Sequence, residues 1–85
     1  MYFVYILRCA DDTLYTGIAR DVVRRVTAHN ESAVGAKYTR SRRPVTLIYS
    51  QESADRSSAL IEEARIKKLT RTQKLAFIQK ARGQH

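Results

Sequence analysis

The first thirty residues of the chain concentrate groups that can bind a phosphate and move a proton. Tyr5 and Tyr15 carry phenols, and Gly17 follows the second phenol by two positions. Arg25 and His29 are four residues apart, which places them one turn apart on the same side of a helix. A guanidinium at the rim of a pocket can grip a phosphate through two parallel hydrogen bonds. These residues are therefore candidates for a phosphodiester-cleaving site; otherwise the tyrosines are core aromatics and Arg25 is a solvated surface side chain.

The reversal after the first predicted strand decides whether the two tyrosines share a site. A two-residue turn at Asp11-Asp12 would pair Tyr5 with Ile18 and place the two phenols on opposite faces of the sheet. An odd-length loop or a bulge would pair Tyr5 with Gly17 and place both phenols on one face. Gly17 would then leave space for a close approach to the backbone. Only the second arrangement builds a shared site, so the proposed chemistry requires it.

Acidic residues are scarce in the second half of the chain, where Glu62 and Glu63 are the only acids after Asp55. Glu63 and Lys67 have the spacing of a helical ion pair, a common surface feature that contributes about 0.3–0.5 kcal/mol. Alternatively, a lone carboxylate in a basic protein can hold one Mg²⁺, with phosphate oxygens and water as the other ligands. The sequence has no Cys/His cluster for zinc, no glycine-rich phosphate loop and no Ser-His-Asp arrangement.

The charge of the chain indicates a polyanionic partner. Sixteen Lys and Arg residues face eight Asp and Glu residues, which gives a net charge of +8. Residues 37–43 and 64–85 are basic and contain no acid. Such a surface binds nucleic acid through backbone phosphates and does not by itself read sequence; the plainer alternative is that the charge only maintains solubility. The predicted nucleic-acid-binding positions are Gly17, Lys37, Arg40, Arg42, Arg43, Lys67 and Lys74.

The pattern of elements predicts an α+β fold with a small, mainly antiparallel three-stranded sheet flanked by helices, in the order β-β-α-β-α-α. Residues 2–8 are aromatic or β-branched at most positions and apolar on both faces, which indicates a central strand. Residues 13–18 form the return strand, and residues 45–50 form the third strand.

The first predicted helix begins at Asp21, a good N-cap, and ends near Glu31. Arg25 and His29 lie about a quarter turn from its valine stripe, so we expect both at the edge of the core. Residues 31–44 are polar, small and basic, which is typical of a loop.

Two further helices are predicted near the end of the chain. Asp55 or Ser57 caps the first of them, which runs to about Leu69. Thr70 followed by Gln73 has the spacing of a capping box and opens the last helix.

The length of 85 residues predicts one domain, residues 1–85. The single Cys9 lies in a strand-like run, so we expect a small buried thiol in a reducing compartment. The apolar run Phe3–Leu7 is too short for a membrane span or the core of a signal peptide. We therefore expect a cytoplasmic protein without a membrane partner.

The ordered set of motifs resembles the GIY-YIG endonuclease superfamily, in particular its small stand-alone bacterial members. Phe3-Val4-Tyr5 stands where the first family motif belongs, and Tyr15-Thr16-Gly17 where the second does. Arg25 follows Gly17 by eight residues, as the helical arginine of the family does, and His29 follows one turn later. The match places the metal-binding glutamate at Glu63. Each motif alone is weak, but the ordered set covers nearly the whole chain.

The resemblance implies a Mg²⁺-dependent endonuclease that hydrolyses phosphodiester bonds in duplex or branched DNA, in DNA repair or recombination. One Mg²⁺ or Mn²⁺ ion on Glu63 would polarise the scissile phosphate. Tyr5, deprotonated or relaying a proton, would activate water, and His29 would assist the proton transfer or orient Tyr5. Tyr15 would position the phosphate or the water, and Arg25 would neutralise charge in the transition state.

Three departures from the family pattern stand out. Phe3 replaces a glycine, and Ile18 stands where some repair nucleases have a lysine. The segment Gln73-Lys74-Leu75 occupies the region where relatives often place an asparagine, which puts in doubt how that end of the site is closed. Two alternatives to a self-sufficient nuclease therefore stay open. One is a non-catalytic nucleic-acid-binding module, and the other is a nuclease subunit that needs a protein partner for targeting.

Overall fold

The computed structural model describes residues 1–31 and 37–82, without the side chains of residues 37 and 38. Three antiparallel strands form one sheet in the order β2-β1-β3. The elements are β1 Tyr2–Arg8, β2 Leu14–Ala19, α1 Val22–Glu31, α2 Lys37–Arg40, β3 Thr46–Ser53, α3 Arg56–Lys67 and α4 Arg71–Arg82. The predicted α+β fold and its element order are confirmed, with one addition: the four-residue α2 lies inside the predicted loop. No helix in the described ranges has the length and apolar character to cross a membrane.

Strand β1 is the central strand, as its two apolar faces predict. Val4 and Ile6 point to a core formed with α3 and α4. Tyr5 and Leu7 point to the opposite core, which contains residues of α1. Because both faces of β1 are covered, residues 4–7 in the middle of the strand are buried.

The β1–β2 reversal spans residues 9–13, an odd-length loop. The amide of Asp12 donates to the carbonyl of Cys9 at 2.9 Å, and Asp12 adopts a left-handed conformation with φ of 68°. The carboxylate of Asp11 accepts from the backbone and the hydroxyl of Thr13. The resulting register pairs Tyr5 with Gly17, so the arrangement that the site requires is the one observed. The predicted burial of Cys9 is also confirmed.

The helix caps follow the predicted local patterns. Asp55, and not Ser57, caps α3 by accepting a hydrogen bond from the amide of Ser58 at 2.8 Å. Thr70 and Gln73 form the reciprocal capping box of α4, with bonds of 2.9 and 3.2 Å.

The segment before β3 is attached to the end of α1. The side-chain amide of Asn30 donates to the carbonyl of Val45 at 3.1 Å and accepts from its amide at 2.7 Å. Arg43 donates through Nε to the carbonyl of His29. On the other side, the amide of Ala10 donates to the carbonyl of Arg42 at 2.8 Å. Residues 42–45 are thereby bonded both to the end of α1 and to the β1–β2 reversal. They follow α2 and hold it on the side of the sheet where Tyr5 and Leu7 lie.

Candidate active site

A buried chain of three polar side chains lies between β1, α1 and α2. The hydroxyl of Tyr5 and Nε2 of His29 are 3.0 Å apart, and Nδ1 of His29 lies 2.7 Å from the hydroxyl of Thr39. Tyr5 and His29 are each 1% exposed and Thr39 is fully buried. A buried polar chain of this kind is stable only when its members satisfy one another. Two of the three residues were predicted from the sequence, whereas Thr39 was not.

The ring of Tyr15 packs beside the rings of Tyr5 and His29. Its ring centroid is 5.1 Å from that of His29 and 6.4 Å from that of Tyr5. Tyr15 is half-buried, so it lies between the buried pair and the surface. The structure therefore brings together the two tyrosines and the histidine that the spacing of the sequence singled out.

Gly17 makes room for the phenol of Tyr5. A Cβ atom at Gly17 would lie 2.6 Å from the Tyr5 hydroxyl oxygen and 2.8 Å from its Cζ. Real Cβ atoms do not approach other atoms so closely, so any larger residue would displace the ring. The space predicted over the backbone is thus filled by the protein's own tyrosine. Contact between Gly17 and nucleic acid stays a prediction.

The Tyr5 and His29 side chains are both uncharged at neutral pH. Burial raises the pKa of the Tyr5 phenol well above its ordinary value, and the neighbouring Tyr15 adds to the rise. Burial lowers the pKa of His29, and the positive charges of Arg25 and Arg43 lower it further. A hydrogen-bonded phenol and neutral imidazole can exchange a proton without either ion having to exist beforehand.

Arg25 is the exposed member of the group. It lies on α1, and its charge lowers the pKa of both Tyr5 and His29, which places the guanidinium near the buried pair. Arg25 and His29 were both expected at the edge of the core. Instead His29 is buried, because Thr39 and Arg43 pack against it. The helical periodicity of α1 cannot predict this contact, since it comes from residues outside the helix.

Glu63 approaches the site from α3. Its negative charge raises the pKa of Tyr5, its side chain is 16% exposed, and one oxygen lies 3.4 Å from Nζ of Lys67. Within residues 1–31 and 37–82, no group of three or more acidic, histidine or cysteine side chains is arranged to hold a metal ion. Glu63 by itself suits an ion that takes its remaining ligands from phosphate and water, as Mg²⁺ commonly does.

The predicted basic residues divide into two groups around the site. Lys67 contacts Glu63, and burial lowers the pKa of Lys74, with the positive charge of Lys67 lowering it further. Arg43 contacts His29, and Nε of Arg42 donates to Asp11 at 2.9 Å. Arg40 is exposed on α2, and the side chain of Lys37 lies outside the described residues. Of these residues, Arg43 contacts His29 and Lys67 contacts Glu63; a role in nucleic-acid binding stays a prediction for all of them.

The family of GIY-YIG catalytic domains matches residues 1–76 of the chain. The chain belongs to the GIY-YIG family. GIY-YIG nucleases generally use a divalent metal ion, and membership supports a nuclease-type function. The matched range includes Tyr5, Tyr15 and Arg25, whose roles in a reaction stay predictions.

The chain is also similar to small UPF0213 proteins and to two solved structures. The UPF0213 protein of Desulfotalea psychrophila is 54% identical over 77 residues, which cover 91% of this chain and 70% of the relative. A UPF0213 protein of Staphylococcus epidermidis is 53% identical over 92% of this chain and 94% of its own length. The solution structure of the UPF0213 protein from Bacillus halodurans is 39% identical, with a TM-score of 0.60 over 93% of this chain and 84% of that one. A protein from E. faecalis gives a TM-score of 0.69 at 38% identity, over 99% of this chain and 88% of that one.

Proposed function

We propose that this protein is a Mg²⁺- or Mn²⁺-dependent endonuclease that hydrolyses phosphodiester bonds in duplex or branched DNA, in repair or recombination. The observation that carries the proposal is the buried Tyr5–His29 hydrogen bond with Arg25 and Glu63 close enough to shift the pKa of Tyr5. A phenol hydrogen-bonded to an imidazole, together with a cation and a carboxylate whose charges act on that phenol, supplies the groups that phosphodiester hydrolysis needs.

Tyr5 acts as the general base through a relay. Its oxygen takes a proton from the attacking water while its own proton passes to Nε2 of His29. The water oxygen forms a new bond to phosphorus, the bond from phosphorus to the leaving oxygen breaks, and the leaving oxygen takes a proton from solvent while His29 later returns its extra proton to solvent. The phenol stays neutral throughout, which fits its raised pKa better than a preformed phenolate does. Because Tyr5 is buried, substrate binding must admit one water molecule beside its hydroxyl.

Arg25 and Tyr15 act on the phosphate. The exposed guanidinium of Arg25 binds phosphate oxygens and stabilises the charge that develops on them. The bound phosphate also offsets the repulsion between Arg25 and the imidazolium that forms at His29. Tyr15, half-buried beside His29, positions the phosphate or the attacking water.

Glu63 would hold a single divalent ion, which when bound supplies the Lewis acid that polarises the scissile phosphate and stabilises the leaving oxygen. Lys67 balances the Glu63 carboxylate in the protein itself and would turn to the DNA backbone when the ion binds. The remaining basic residues bind backbone phosphates without reading sequence, which makes the affinity strongly dependent on salt.

The test compares Arg25→Ala and Glu63→Ala with the neighbouring substitutions Arg24→Ala and Glu62→Ala. Each variant is assayed for nicking of labelled duplex, flap, junction and single-stranded DNA in Mg²⁺ or Mn²⁺. We expect the first two to lose about a hundredfold or more in rate, the size of effect seen when one transition-state partner is removed. The two controls carry the same charges one residue away, and Glu62 is paired with Arg65, so they should retain the rate.

Cutting that survives both Arg25→Ala and Glu63→Ala rules out this site. DNA binding without cleavage on every substrate would identify a non-catalytic binding module. Cleavage that appears only when a cell extract is added would identify a subunit that depends on a protein partner for targeting.

A further inference from the structure

Thr39 is buried beside His29, although the sequence around it is polar and basic. It lies on the one-turn helix α2, is fully buried, and places its hydroxyl 2.7 Å from Nδ1 of His29. Its own carbonyl accepts a bond from the amide of Arg42 at 2.9 Å. This backbone hydrogen bond does not involve the hydroxyl, which lies within hydrogen-bond distance of the imidazole.

The hydrogen-bonding capacity of Tyr5 determines which atoms donate and which accept between Tyr5, His29 and Thr39. A neutral imidazole carries a hydrogen on one ring nitrogen and accepts on the other. If Nε2 of His29 carried the hydrogen, Tyr5 would accept it, and the phenol's own hydrogen would find no acceptor in residues 1–31 or 37–82. An unsatisfied buried donor costs about 1–3 kcal/mol. If Nδ1 carries the hydrogen instead, Tyr5 donates to Nε2 and Thr39 accepts from Nδ1, since a hydroxyl can accept and donate at once.

We propose that Thr39 is a positioning residue for the reaction: its hydroxyl accepts the Nδ1 hydrogen of His29 and so keeps Nε2 free to take the proton of Tyr5. This assignment rests on the proposed nuclease function, in which His29 receives that proton. The opposite tautomer already has a hydrogen on Nε2 and cannot receive another. When His29 becomes an imidazolium, both nitrogens donate, and Thr39 continues to accept from Nδ1.

The direct test measures the tautomer of His29 by NMR of the whole protein labelled with nitrogen-15. The chain has two histidines, and the spectrum of His29→Gln identifies the signals of His29. We expect a single tautomer with the hydrogen on Nδ1 in the wild type. Thr39→Val keeps the shape of the side chain but removes the acceptor, so we expect it to convert His29 to a mixture or to the Nε2 form. Thr39→Ser should restore the Nδ1 form.

Kinetics provide the second readout. Thr39→Val should slow cleavage by about 10–100-fold, by analogy with the loss of a group that orients a metal-binding histidine. Thr39→Ser should recover most of the rate. A loss of rate caused by poor folding would appear in both variants, whereas a loss through the tautomer appears only in Thr39→Val.

Two results would overturn the assignment: a hydrogen on Nε2 in the wild type, or a tautomer that Thr39→Val leaves unchanged. The NMR measurement does not require cleavage. A protein that cuts no substrate, but whose His29 changes tautomer in Thr39→Val and recovers in Thr39→Ser, would refute the nuclease function and leave Thr39 as the residue that orients His29.

Discussion

The two faces of strand β1 pack against cores of different composition, one apolar and one that contains buried polar side chains. On one face Val4 and Ile6 pack against Ala59, Ile66 and Ile78 of α3 and α4. The other face packs against the valines of α1 but also encloses the Tyr5–His29–Thr39 chain. Burial of apolar groups stabilises a fold wherever it occurs, whereas buried polar groups stabilise it only when each finds a partner. One strand thus separates a core that stabilises the domain from a core that holds its candidate site.

The largest effect is expected on the apolar face. Ile66→Ala removes a fully buried side chain and should lower the free energy of unfolding by about 2–5 kcal/mol, because the cavity cannot close completely. Ile61→Ala, on the same helix but 71% exposed, should change it by less than about 0.5 kcal/mol. Urea denaturation measures both. Equal losses in the two variants would contradict the assignment of this core.

On the polar face the main effect is expected on cleavage. Tyr5→Phe removes the hydroxyl that is hydrogen-bonded to His29 and should reduce the cleavage rate by about 10²–10⁴-fold, the contribution typical of a general base. Tyr49→Phe removes a hydroxyl from the apolar core against α4 and should leave the rate unchanged. Single-turnover cleavage with excess enzyme measures the difference. If Tyr49→Phe were as harmful as Tyr5→Phe, the two faces would not differ in function.

Gly17→Ala should affect both stability and the polar chain. The added Cβ collides with the Tyr5 ring, and overpacking of this kind costs about 1–3 kcal/mol. Because the nearest contact is the hydroxyl oxygen, the double variant with Tyr5→Phe should lose less stability than the sum of the two single variants. Thermal unfolding of the wild type, the two single variants and the double variant gives the coupling between Gly17 and Tyr5. Additive losses would show that Gly17 acts independently of Tyr5.

The pH dependence of stability should also distinguish the faces. Burial and the charges of Arg25 and Arg43 lower the pKa of His29, so the unfolded chain binds its proton more readily than the folded one. Stability from this group is complete above the ordinary histidine pKa of about 6.5 and is lost as the pH falls below it. Urea denaturation between about pH 5 and pH 7 should show this loss in the wild type.

The matched control for the pH experiment is His29→Gln, which removes the titrating imidazole. It should be less stable than the wild type at pH 7 and nearly constant in stability across the same window. The depressed pKa values of Asp11 and Asp55 act at lower pH, where carboxylates titrate, and do not interfere. A wild type whose stability stays flat would mean that His29 is not held neutral.

The smallest effect is expected at the surface ion pair. Lys67→Ala removes the partner of Glu63 and should change the free energy of unfolding by less than about 1 kcal/mol, because Lys67 is 54% exposed and solvent screens its charge. The same change should weaken DNA binding equally for all sequences and reduce the salt dependence by about one unit of slope. Binding titrations at several salt concentrations measure this. An unchanged slope would remove Lys67 from the proposed DNA-binding surface.

Local sequence patterns determined much of this protein. The capping box of Thr70 and Gln73 and the N-cap Asp55 involve residues three apart, so their geometry is a property of the segment itself. The two apolar faces of β1 indicated its central position before any partner was known. The ordered spacing of Tyr5, Tyr15 and His29, together with the family resemblance, identified three residues that lie close together beside the sheet.

Other features were decided only by tertiary structure. The register that pairs Tyr5 with Gly17 depends on the conformation of the reversal at residues 9–13, and the sequence left both registers open. The burial of His29 and the role of Thr39 depend on a segment that returns over α1 and is attached through Asn30 and Val45. A residue in a polar, basic stretch has no periodic signal to show that it will be buried. Its environment arises from hydrogen bonds between residues distant in sequence, and these exist only in the folded chain.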